Sequence, residues 1–120
     1  MADNSAGQTA TQTIDQGTPS RAFGKDTFDG TSITAAEFVR VATGFKPRYV
    51  CFENATDRIK VEWYEGMADD TCIKTAAAGT RTLETTNQGI TVDALGFRVS
   101  QNATLAVVAA SKVCYWKAEG

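Results

Sequence analysis

From Arg58 to Glu65 the chain alternates with period two: Ile59, Val61 and Trp63 fall on one side, Arg58, Lys60 and Glu62 on the other. Successive side chains of a strand point to opposite faces, so this pattern predicts a strand with one buried and one wet face. The preceding run, Arg48-Tyr49-Val50-Cys51-Phe52-Glu53, predicts its partner strand. Between them Asn54-Ala55-Thr56-Asp57 is a polar turn, because Asn and Asp side chains bond nearby backbone. Together these segments predict an antiparallel hairpin with one face on the core.

The same punctuation recurs along the chain. Ile33 to Val41 alternates loosely, although Thr34-Ala35-Ala36-Glu37 also fits one helical turn, and Gly44 and Pro47 then break the chain. Further strands are expected at Cys72-Ile73-Lys74, at Thr80 to Thr85, at Ile90-Thr91-Val92 after the Asn87-Gln88-Gly89 turn, and at Phe97 to Ser100. The last two are expected at Thr104 to Ala109 and at Lys112 to Lys117, separated by a reversal at Ala110-Ser111. About eight short strands spaced by turn residues predict an all-β sandwich or barrel, mainly antiparallel. Trp63 and Trp116 lie in opposite halves and are candidates for one shared core.

Residues 1 to about 20 read differently. Beyond Met1 their only large apolar residue is Ile14, and the rest is Ala, Thr, Gln, Gly, Ser, Asn and Asp. Such a stretch cannot bury enough surface to offset about 1–2 kcal/mol per residue of backbone ordering. It is expected to be flexible, as an arm that orders on a partner or as a frayed terminus. Phe23, Phe28 and Ile33, spaced by Gly24, Asp26, Asp29 and Gly30, suggest a transition loop pinned by aromatics. The expected division is therefore an arm and transition loop over 1–30 and a single β-domain over 31–120.

At 120 residues the chain is one domain by length. Its net charge of −2 lies on the arm, which holds Asp3 and Asp15 and no Lys or Arg. A nucleic-acid binder usually carries a basic excess, so nucleic acid is not an expected partner. No apolar run approaches the ~20 residues that cross a bilayer, and the start lacks the basic and apolar regions of a secretory signal. No membrane is expected, and the product is expected to stay where it is made. Cys51, Cys72 and Cys114 form an odd set without CxxC spacing, read as small hydrophobes in a reducing compartment, with a Cys51–Cys114 bridge possible on paper.

Candidate chemistry is sparse. With no histidine, the commonest general base and metal ligand are missing. Glu62 and Glu65, near Lys60, look like charges on a solvated face. Asp26-x-x-Asp29-Gly30 lacks the further oxygens of a Ca²⁺ loop, and no phosphate-cradling glycine motif occurs. Asn54-Ala55-Thr56 and Asn102-Ala103-Thr104 are sequons better read as turns. The expectation is no catalytic residue, no metal and no cofactor. In alternating strands one member of Trp63-Tyr64 and one of Tyr115-Trp116 must face outward. Tyr64 and Tyr115, with the arm around Ile14, are the candidate partner-binding residues, and the aromatics also suit stacking on a sugar.

The run TGFKPRYVCFENATDRIKVEWYEGM (Thr43 to Met67), with TCIKTAAAGTRTLETTNQGITVDALGFRVS and the closing CYWKAEG, resembles small virion proteins of tailed bacteriophages. Such proteins are often encoded beside the major capsid protein, and some are capsid decoration or cement proteins. The resemblance covers about residues 43–120 and not the arm. It implies a non-enzymatic subunit, made in the host cytoplasm, on the outer capsid surface. Its implied partners are the major capsid protein and other copies of itself, as an oligomer on the particle. A tail or head–tail connector component and a carbohydrate-binding module for host attachment are the alternatives.

Overall fold

A computed structural model describes residues 20–30, 37–86 and 88–120. They form nine strands and no helix: β1 Arg21–Thr27, β2 Phe38–Ala42, β3 Tyr49–Asn54, β4 Ile59–Tyr64, β5 Cys72–Thr75, β6 Arg81–Glu84, β7 Ile90–Asp93, β8 Gly96–Ser100 and β9 Val113–Glu119. A six-stranded sheet runs β1-β9-β3-β4-β5-β6 and a three-stranded sheet runs β2-β8-β7, with every pairing antiparallel. The protein is thus all-β.

The β3–β4 hairpin forms where the alternation places it. Its turn is closed by Asn54, whose Oδ1 accepts the Asp57 N–H at 2.9 Å and whose Nδ2 donates to Asp57 Oδ2 at 3.1 Å. Arg58 completes the reversal at φ 59°. Asn54 is fully buried, so its sequon serves the turn. Asn102 likewise accepts the Thr104 N–H at 2.8 Å. Across the hairpin Val50 faces Trp63, Phe52 faces Val61 and Asn54 faces Ile59, and this face is the inner one.

Against it pack Val41, Phe97, Val99 and Ile90 from the small sheet. Burying a Val, Ile or Phe side chain stabilises by about 1.5–3 kcal/mol, so this interface dominates the stability. Trp63 and Trp116 both face the core, with β3 between their strands. The Trp116 ring meets Phe97 edge-on, with centroids 5.5 Å apart.

Three expectations are corrected. The stretch read as a transition loop contains the seven-residue β1, paired along its length with β9. Small Ala22 and Gly24 on its inner side gave no apolar alternation to detect. The run Thr104 to Ala109 is not a strand: Leu105, Val107 and Val108 are buried from a loop in which Ala106 takes φ 64°. It is apolar because it joins the core cluster, not because it pairs. A Cys51–Cys114 bridge is excluded, since Cys114 shares the inner face with Phe52 while Cys51 points outward, and all three thiols are free. Of the Ile33–Val41 segment, residues 31–36 lie outside the described residues, and β2 begins at Phe38.

Candidate functional site

The outer face of the six-stranded sheet is read directly from its registers. One row crosses all six strands: Phe23, Lys117, Cys51, Glu62, Ile73 and Leu83. At ~4.8 Å between strands this row is about 24 Å long. A second row holds Lys25, Tyr115, Glu53, Lys60, Thr75 and Arg81, and a third brings Arg21, Glu119, Tyr49 and Tyr64 together.

Apolar and charged side chains interleave on this face. Phe23 is 70% exposed, Leu83 67%, Tyr115 49% and Tyr64 45%, so four of the large apolar side chains open to solvent share one surface. Lys25 Nζ lies 5.9 Å from the Tyr115 ring centre and Lys117 Nζ lies 5.6 Å from that of Tyr49. Such cation–π contacts hold flexible lysine stems against the sheet. Tyr49 and Tyr64 meet at 5.1 Å with tilted rings.

Glu62 is the one carboxylate buried in this face, and the expectation of a solvated charge is corrected. Tyr49 Oη donates to Glu62 Oε2 at 2.7 Å, while Lys60 Nζ and Arg81 lie 3.6 and 3.7 Å from Oε1. Burial opposes ionisation, but the Tyr49 hydroxyl and the two cations outweigh it and hold Glu62 below the usual carboxylate range. The same contact, after burial, pushes the Tyr49 phenol up. Glu65, by contrast, is exposed and pairs with Arg48 at 2.7 Å.

These environments keep each group in its resting form. Burial, then the Glu62 carboxylate, pushes the Cys51 thiol up, which leaves little thiolate at neutral pH. Cys72 and Cys114 are pushed up to about 12 by burial. Among the described residues no three His, Cys, Asp or Glu side chains converge as a metal site. Asp26 of the faint Asp26-x-x-Asp29 motif lies within β1, opposite Cys114, and its carboxyl is raised by burial.

Beside Tyr115 a shallow concavity of about 370 Å³ is lined by Phe23, Tyr49, Cys51, Glu53, Lys60, Tyr115, Trp116 and Lys117. Of the expected binding residues, Tyr64 and Tyr115 reach the same face, separated by β3. Ile14 lies outside the described residues. Phe23 and Leu83 were missed. Leu83 shares the outward set of β6 with Arg81, a signal the alternation Arg81-Thr82-Leu83 carried. Phe23 had only the weaker signal of small residues flanking it. No family model, curated protein or solved structure matches this chain.

Proposed function

We propose that this protein is a non-enzymatic virion subunit that binds the outer surface of a capsid and bridges neighbouring capsid subunits through the outer face of its six-stranded sheet. The observation that carries this reading is the collection of Phe23, Tyr64, Leu83 and Tyr115 on one face, each 45% exposed or more. Large apolar side chains left open on one sheet face and interleaved with charged ones suit a protein partner. Lys25, Lys117 and Arg81 beside Glu53 and Glu119 offer charges of both signs to a docked protein. Many weakly held copies on one shell gain strength from effective concentration. The resemblance of residues 43–120 to capsid cement proteins points the same way.

The test is addition of the purified protein to shells that lack it, read by co-sedimentation and by images of the particle. Leu83→Asp and Tyr64→Ala should weaken binding without unfolding the chain. Deleting residues 2–19 should leave the melting temperature unchanged and weaken attachment. The cut stops there because the Ser20 carbonyl accepts the Gly120 N–H at 2.8 Å. Failure of the full chain to bind shells overturns the reading, and density at the tail or neck instead would make it a connector component.

A second reading rests on the concavity, where Phe23, Tyr49 and Tyr115 stand beside Glu53 and Lys60. Aromatic walls with a few polar groups suit a sugar ring. Saturable NMR shifts with oligosaccharides, confined to those residues and lost in Tyr115→Ala, would favour this alternative.

A further inference from the structure

Among the described residues strand β1 pairs with β9 alone, and it is their longest edge strand. The Phe28 N–H donates to the Lys112 carbonyl at 3.0 Å, and the Gly120 N–H donates to the Ser20 carbonyl at 2.8 Å. Bonded and non-bonded residues alternate in an antiparallel ladder, so Ala22, Gly24 and Asp26 also direct their backbone groups to β9. Arg21, Phe23, Lys25 and Thr27 therefore point N–H and C=O away from β9, to an edge that no described residue covers.

We infer that the occupant of this edge is β1 of a second copy, paired antiparallel about a two-fold axis through Gly24, so that two six-stranded sheets become one. Charge selects the register. Centring on Gly24 sets Phe23 opposite Lys25 of the second copy, twice, and Arg21 opposite its Thr27, every one a residue whose backbone groups β9 does not use. The aromatic–cation pair repeats the chemistry Lys25 already makes with Tyr115. The neighbouring registers that keep the ladder in phase oppose Arg21 to Lys25, or Lys25 to Lys25, and like charges directly opposite are unfavourable. At the centre two glycines meet at a non-bonded position, where backbones approach most closely. The outer faces of both copies stay on one side, which makes a continuous docking surface.

One strand pair buries less than the ~1,000 Å² of a stable interface, so the dimer is weak in free solution and strengthened where copies are held side by side. The pairing does not rest on capsid docking: a dimer that ignores shells leaves it standing.

The experiment is sedimentation equilibrium of the full chain up to about 1 mM. Wild type should show a concentration-dependent dimer. Phe23→Lys, at an exposed position, puts lysines opposite each other twice and should weaken association about tenfold or more. Phe23→Lys with Lys25→Glu gives opposite charges with no like-charge pair only in this register, since the neighbouring ones set the two new lysines or the two new glutamates against each other, and it should regain the dimer. Lys25→Pro removes an edge N–H that β9 does not use and should abolish pairing, with circular dichroism checking the fold. Wild type monomeric throughout the range would mean that Lys25 guards the edge, and overturns the inference. So does equal behaviour of Phe23→Lys and the double variant.

Discussion

Gly24→Ala should destabilise the fold, although alanine is ordinarily the better residue in a strand. A Cβ built at position 24 lies 2.3 Å from Trp116 Cζ2, 2.4 Å from Cε2 and 2.6 Å from Nε1. Ordinary carbon contacts are about 3.5–4.0 Å, so the rigid indole must move by about 1 Å or β1 must lift from it. The ring has little freedom, because its edge-on neighbour Phe97 is fully buried between the sheets. Overpacking of this kind costs about 1–3 kcal/mol. Loss of glycine's unfolded-state freedom returns about 0.4–1 kcal/mol. The expected net cost is about 1–2 kcal/mol, or roughly 5–15 °C in melting temperature for a domain of this size. Urea and thermal unfolding followed by tryptophan fluorescence would measure it. Combining Gly24→Ala with Trp116→Leu should cost less than the sum of the two single changes, by about 1 kcal/mol, since the smaller side chain makes room. A Gly24→Ala protein as stable as the wild type, or a strictly additive double mutant, would refute the packing of Trp116 on β1.

Val61→Ala should cost about 1–3 kcal/mol and Lys60→Ala less than about 0.5 kcal/mol in denaturant titration, and equal costs would mean the β4 register is wrong. Glu62→Gln should lower stability by about 1 kcal/mol at neutral pH. Because the Glu62 carboxyl is held below its ordinary 4.5, its contribution is present above that value and lost as pH falls through the folded pKa. Melting curves of wild type and Glu62→Gln should therefore converge on acidification, and a constant gap would refute the coupling. In native protein Cys51 alone should react with a maleimide, slowly and faster as pH rises. Cys72 and Cys114 should wait for unfolding, and early labelling of either would contradict their burial.

The sequence by itself determined the β character, the β3–β4 hairpin with its inward Ile59, Val61 and Trp63, and the outward turn of Tyr64 and Tyr115. These follow from local physics: side-chain direction alternates along any strand, and Asn54 and Asp57 close a turn with bonds to their own neighbours. Tertiary structure decided the rest. Strand β1 exists because β9 supplies its hydrogen bonds and Trp116 fills the space over Gly24, neither visible in residues 21–27 themselves. The run from Thr104 was apolar enough for a strand, and only the packing of two sheets left a space that a loop carrying Leu105, Val107 and Val108 fills. Glu62 looked like any outward charge on β4. What buries it is a tyrosine from β3, across the hairpin, together with an arginine from β6, two strands away, whose place beside it no local pattern encodes. The make-up of a sheet face is a property of adjacent strands, and strand order is set by long-range pairing.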